Sequence, residues 1–103
     1  MTSEAFEKIV ARQLEYCKRV LSEKADEYQN GEDRLSNFKK AAALEGCSPA
    51  KALGGMMVKH IVAIYDFIEK DERRYLRWEE KITDTINYCL LLDALLQEGG
   101  DIF

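Results

Sequence analysis

Apolar residues in this chain recur at steps of three and four, segment after segment, and almost nothing interrupts them. The one proline is Pro49, and valine, isoleucine and threonine nowhere alternate with polar residues over the length of a strand. That pattern confines the chain to helices packed on helices, the all-α class. Phe6, Ile9, Val10, Leu14, Cys17, Val20, Leu21, Ala25 and Tyr28 define a first helix from about residue 3 to about 29, with Gly31 placed to end it. A short second helix is expected after Asp33, whose side chain can cap it; it carries Leu35, Phe38, Ala41 and Ala42 and stops at Gly46. Ser48-Pro49 reads as a cap followed by proline at the first helical position, opening a third helix from about 49 to 70. Its apolar face holds Leu53, Met56, Met57, Ile61, Ile64 and Ile68. Gly54-Gly55 near its start costs helix propensity, which suggests close approach of another backbone. Asp71-Glu72 suits the first turn of a fourth helix, from about 72 to 97, ending at Gly99-Gly100.

With 103 residues the chain has material for one core, so a single helical domain spanning 1–103 is expected, built as a four-helix bundle. Apolar residues at 47% and charged residues at 33% exclude a disordered or membrane-embedded chain, and a net charge of −4 argues against a general nucleic-acid surface. No apolar run approaches the roughly 20 residues that cross a bilayer, and MTSEAFEKIV lacks the basic and apolar regions of a signal peptide. A cytoplasmic protein is expected. Cys17, Cys47 and Cys89 are odd in number and lack CxxC spacing, which reads as reduced structural thiols.

The fourth helix is the least ordinary. RWEEKITDTINY is polar outside one face, whereas CLLLDALL is apolar almost all round and needs cover from its own bundle or from a second subunit, so a dimer is expected. One stripe runs Glu80, Asp84, Asn87, Leu91, Leu95, and the core face is expected to run through Ile82, Ile86, Cys89 and Leu96. Two carboxylates four residues apart repel, so something cationic should compensate Glu80 and Asp84. Mg²⁺ is one candidate, since it accepts one or two carboxylates together with substrate phosphates; Lys81, Arg74 or Arg77 is the other. An antiparallel hairpin of helices three and four would face His60 with Asp84 or Thr85, and Asp66 with Glu79 or Glu80. His60 could then bind metal, shuttle a proton or simply hydrogen-bond to Asp84. Lys24 and Lys59 could hold phosphates or stand solvated; Asn37 and Asn87 could orient a nucleotide or a water; Trp78 and Tyr88 could stack on a base or serve as core or interface aromatics.

The run Trp78-Glu79-Glu80-Lys81-Ile82-Thr83-Asp84-Thr85-Ile86-Asn87-Tyr88 resembles the acidic helix of MazG-like proteins, in the all-α NTP pyrophosphohydrolase group. In that family an EE-x-x-D segment is commonly followed by an aromatic residue four positions after the aspartate; Asp84 and Tyr88 take those places, Glu80 matches the first glutamate, and Lys81 stands where the second would fall. Lys24-Ala25-Asp26-Glu27-Tyr28, Arg34-Leu35-Ser36-Asn37-Phe38 and Lys59-His60-Ile61-Val62-Ala63-Ile64-Tyr65-Asp66 are similar to segments of small phage- and prophage-encoded proteins related to the group. The family's EExxE motif is absent as such, with Glu23 and Glu27 its nearest substitutes. The resemblance implies Mg²⁺-dependent hydrolysis of a nucleoside triphosphate to the monophosphate and pyrophosphate. Glu27, Glu80 and Asp84 would hold the metal and Lys24 and Lys59 the phosphate chain. The alternative is a noncatalytic phage-encoded helical module that dimerises or binds a phage or host protein, its acids neutralised by arginine and lysine.

Overall fold

Helix boundaries in this chain fall where local groups satisfy the backbone donors and acceptors that a helix end leaves over. The computed structural model describes residues 1–25 and 33–100, which form α1 (Ser3–Ala25), α2 (Ser36–Glu45), α3 (Pro49–Glu69) and α4 (Tyr75–Glu98). No strand occurs among the described residues. Thr2 opens α1, its hydroxyl accepting from the Ala5 N–H at 3.0 Å. Ser48 caps α3 as expected, in extended conformation and accepting from the Lys51 N–H at 3.1 Å, with Pro49 in the first turn. Gly46 ends α2 with φ 69°, while the Cys47 N–H returns to the Ala42 carbonyl at 3.0 Å.

Two expected caps work differently. Asp33 does not cap a residue inside α2; its carboxylate accepts from the Leu35 N–H at 3.0 Å, and Leu35 occupies the cap position. Asp71 and Glu72 close α3 rather than open α4. Asp71 adopts φ 53°, a left-handed conformation that aspartate tolerates better than most residues, and the Glu72 N–H reaches the Phe67 carbonyl at 2.9 Å. Arg73 and Arg74 then pair with Asp71 and Glu72 at 2.6 and 2.7 Å, so α4 starts only at Tyr75.

Helix α4 is the axis of the fold. On one side α3 runs antiparallel to it, as the hairpin register predicts: His60 lies against Asp84, and Phe67 meets Trp78 edge-on with ring centroids 5.4 Å apart. On another side α1 runs parallel, pairing Arg12 with Glu79, Gln13 with Thr83 and Cys17 with Asn87. Helix α2 packs on α3. The core is the place where α2, α3 and α4 meet: Leu35, Phe38, Leu53 and Leu95 are buried there, with Met56, Met57, Tyr88, Leu91 and Leu92 packed against them.

Several expected core positions are not core. Among the helices α1 touches α4 alone, so Cys17 is its only buried residue while Phe6, Ile9, Val10 and Leu14 stand 40–54% exposed. On α4 the buried residues are Thr83, Asn87 and Leu95, and the expected core face is turned outward, with Ile82 and Cys89 exposed and Ile86 and Leu96 half-buried. Ile68 is also exposed on α3. Among the described residues nothing beyond the neighbouring backbone of α3 itself lies within 4 Å of the space a Cβ would take at Gly54 or Gly55, so no other backbone approaches them. The expectations for Tyr28 and Gly31 lie outside the described residues.

Leu53 has no exposed surface and touches the one cluster that joins three helices. Leu53→Ala should therefore destabilise the fold by about 2–5 kcal/mol, read as a lower urea midpoint, whereas truncating Leu44, which is 90% exposed, should leave the midpoint almost unmoved.

Candidate functional site

The seam between α1 and α4 is polar where most helix contacts in a small bundle would be apolar. Gln13 Nε2 donates to the buried Thr83 hydroxyl at 2.7 Å, Asn87 Nδ2 donates to the Cys17 carbonyl at 3.4 Å, and Arg12 donates to Glu79 at 2.7 Å while lying over the Tyr75 ring. Specific polar contacts hold α1 at a fixed place without closing it onto α2 and α3. Below the seam, between the C-terminal turns of α1, the start of α2 and the middle of α4, lies a cavity of about 410 Å³. That volume is in the range of small-molecule sites.

Its polar wall consists of Lys24, Arg34, Asn37, Asp84, Asn87 and the Tyr88 phenol. Leu21, Phe38, Met56 and Leu91 complete it with apolar surface. Arg34 donates to the Leu21 carbonyl at 2.8 Å, tying the start of α2 to the last turns of α1, where the helix dipole favours a cation. Phe38 stands edge-on to Tyr88 with centroids 6.5 Å apart, so the aromatic side of the cavity is itself braced. Cations from α1 and α2 thus sit across a partly aromatic space from a carboxylate on α4.

Of the residues singled out by sequence, Lys24, Asn37, Asp84, Asn87 and Tyr88 line this cavity together. Glu80 is exposed one helical turn before Asp84, on the same side of α4, and forms no ion pair among the described residues. The acid of the pair that binds arginine is Glu79, not Glu80. Lys59 is exposed on α3 and does not line the cavity. Glu27 lies outside the described residues. Asp66 is exposed and pairs at 3.7 Å with Lys70, the residue that caps the C-terminus of α3, rather than meeting Glu79. Trp78 is taken up by structure, its indole N–H donating to the Glu72 carbonyl at 2.7 Å.

His60 does not line the cavity but stands behind it. Its Nδ1 is 3.6 Å from the Asp84 carboxylate, too long for a hydrogen bond, and its ring is 5.1 Å from that of Tyr88. Both contacts place it as support for two wall residues. Arg34 is a wall residue without a periodic signal of its own; in the sequence it stands only as the first residue of the Arg34–Phe38 segment and carries no assigned role.

No three His, Cys, Asp or Glu side chains converge on one point among the described residues. Asp84 and Glu80, one turn apart on α4, make no ion pair with a lysine or arginine among the described residues, and Mg²⁺ commonly takes one or two carboxylates with its other ligands from phosphates and water. No protein-family model matches the chain, and neither a curated protein nor a solved structure does.

Burial, and after it the negative charge of Asp84, raises the Tyr88 phenol above its ordinary range. A raised value in the folded state means stability from this group is complete below the ordinary tyrosine range and is lost as pH rises through the raised one. Asp84→Asn removes the smaller cause. Tyrosinate absorbance, with Tyr88→Phe identifying the component, should show Tyr88 ionising at lower pH in Asp84→Asn yet still above the ordinary range; an unchanged midpoint would mean that the two groups do not face each other.

Proposed function

We propose that this chain is a MazG-like nucleoside triphosphate pyrophosphohydrolase, cleaving an NTP to the monophosphate and pyrophosphate. The observation that carries the reading is the convergence of Lys24, Asn37, Asp84, Asn87 and Tyr88 on one cavity, although they come from three different helices. The resemblance of the Glu80–Tyr88 segment to the family's acidic helix supports it independently. A water attacks the α-phosphorus, the bond from that phosphorus to the bridging oxygen breaks, and pyrophosphate leaves. Lys24 and Arg34 attract the phosphates, the first as a mobile point charge and the second from a position fixed by its bond to Leu21. Tyr88 and Phe38 give the base an apolar, aromatic surface. Glu80 and Asp84, with Glu27 as a further candidate, would hold Mg²⁺, which when bound offsets phosphate charge and lowers the pKa of a coordinated water. His60 positions Asp84 from behind and does not touch substrate.

The noncatalytic alternative draws on another observation. Val58, Val62, Tyr65 and Ile68 on α3 are 49–69% exposed, and the α1 residues left without cover are 40–54% exposed. Phe6, Tyr65 and Tyr75 are each more than half exposed, so apolar and aromatic surface is left uncovered on α1, α3 and the start of α4. Self-association fits both readings, and we extend the proposal to a homodimer. Light scattering should give twice the chain mass, and Val62→Glu with Tyr65→Glu should return it to a monomer; a wild-type monomer at micromolar concentration would exclude this interface.

Calorimetry with Mg²⁺ and a panel of NTPs separates the two readings. The enzyme binds both and releases pyrophosphate, and Asp84→Asn lowers turnover by roughly 10²-fold or more, in line with the removal of a metal-holding charge. Absence of Mg²⁺ binding, together with an Asp84→Asn protein that is more stable and loses no activity, would leave the interaction module standing.

A further inference from the structure

Asn87 is 5% exposed, lies in the middle of α4 and lines the cavity. The two halves of its amide have different fates. Nδ2 faces α1 and donates to the Cys17 carbonyl, a group that can only accept, so the orientation of the amide follows from chemistry and not from the assignment of atoms. Oδ1 is buried and has no hydrogen-bond partner among the described residues. Buried side-chain oxygens in native proteins are almost always paired, and a mid-helix asparagine whose only task was to hold α1 would leave no such remainder.

Resting on the nucleotide reading above, we infer that Asn87 determines base specificity: Oδ1 accepts a hydrogen bond from an amino group on the base edge. The class of substrate is then an NTP whose base carries an exocyclic amine, cytosine or adenine, in preference to one with a carbonyl at that place, uracil or hypoxanthine. The discrimination arises because a carbonyl opposite Oδ1 sets two acceptors face to face and leaves both unpaired in a buried site. The bond to Cys17 matters as much as the oxygen. It prevents the amide from rotating to offer Nδ2 to the carbonyl-bearing base, so the site cannot adapt to the wrong partner. Tyr88, the next residue along α4 and also on the cavity wall, supplies a ring for the base plane to rest on while its edge is read.

The test is calorimetry with Mg²⁺ and the matched pairs CTP against UTP and ATP against ITP, each pair differing by an amine and a carbonyl. In the wild type the amino member of at least one pair binds about tenfold or more tightly. Asn87→Leu, similar in size and without polar atoms, brings that pair to within about twofold, because the acceptor is gone. Asn87→Asp keeps an oxygen acceptor and therefore keeps the order of preference, though its charge weakens every nucleotide. Equal binding within both wild-type pairs overturns the inference and leaves the nucleotide reading intact. So does discrimination that survives in a folded Asn87→Leu protein; if that variant does not fold, loss of the preference in Asn87→Asp has the same force. Failure of all four nucleotides to bind overturns the nucleotide reading itself, and this inference with it.

Discussion

Burial of Leu53 between α2 and α4 is the contact on which the rest of the chain depends. Leu35 and Phe38 reach it from the start of α2, Leu95 from the last turns of α4, and among the described residues these four make up the buried cluster. A domain this small has a narrow margin between apolar burial and chain entropy, so one cluster that ties three helices together must carry much of the cooperativity. Its location decides what else is possible. The apolar anchor lies toward the C-terminal half of α4, which leaves the N-terminal half free to carry Glu79, Glu80 and Asp84 without burying them in apolar surroundings.

Helix α1 is attached by other means, and that difference creates the cavity. If its Phe6-to-Leu14 stripe were packed against α3, the bundle would close and the space beside Asp84 would fill with side chains. Instead Gln13, Cys17 and Arg12 meet Thr83, Asn87 and Glu79, and the geometry of those polar contacts sets the spacing between helices. Hydrogen bonds are directional, whereas apolar contact is not, so a polar seam can hold a gap open with defined walls. The same arrangement leaves the apolar part of α1 uncovered, and a second copy of the chain is the cover proposed for it.

Much of this was legible in the sequence, for reasons that differ from residue to residue. Ser48-Pro49 and Gly46 announced helix ends because their backbone preferences are intrinsic and tertiary contacts do not override them. The facing of His60 and Asp84 followed from helix periodicity and a short antiparallel turn. The face of α4 did not. Ile82, Ile86 and Cys89 form a proper apolar stripe, and hydrophobic periodicity chose it over Thr83 and Asn87; in the fold the latter win because their partners, Gln13 and a main-chain carbonyl, come from α1. A threonine and an asparagine are core residues only when a distant donor or acceptor meets them, and one chain read in order does not display that meeting. The place of Arg34 on the cavity wall was illegible for the same reason, since the group that fixes it, the Leu21 carbonyl, has no side-chain signature at all.

The acids of this molecule separate into two groups once their partners are compared. Glu79, Glu72 and Asp71 each hold an arginine at 2.6–2.7 Å, and Asp33 shares Lys39 with Glu98. Asp33 accepts from Lys39 and from the Leu35 amide, which lower its pKa and keep it ionised as a structural acid. Asp84 differs. It is partly buried beside an aromatic ring, its nearest cation-forming group is His60 at a distance too great to hydrogen-bond, and it looks into a space that Lys24 and Arg34 also border. Had the chain used α4 only to dimerise, a neutralising arginine of the kind it provides four or five residues away would have been the stable choice at Asp84 as well. Leaving that carboxylate without one, in a wall with an unpaired amide oxygen one turn further on, concentrates unmet polar demand at a single place. A nucleotide with its metal, the ligand proposed above, brings charge and hydrogen-bond donors together.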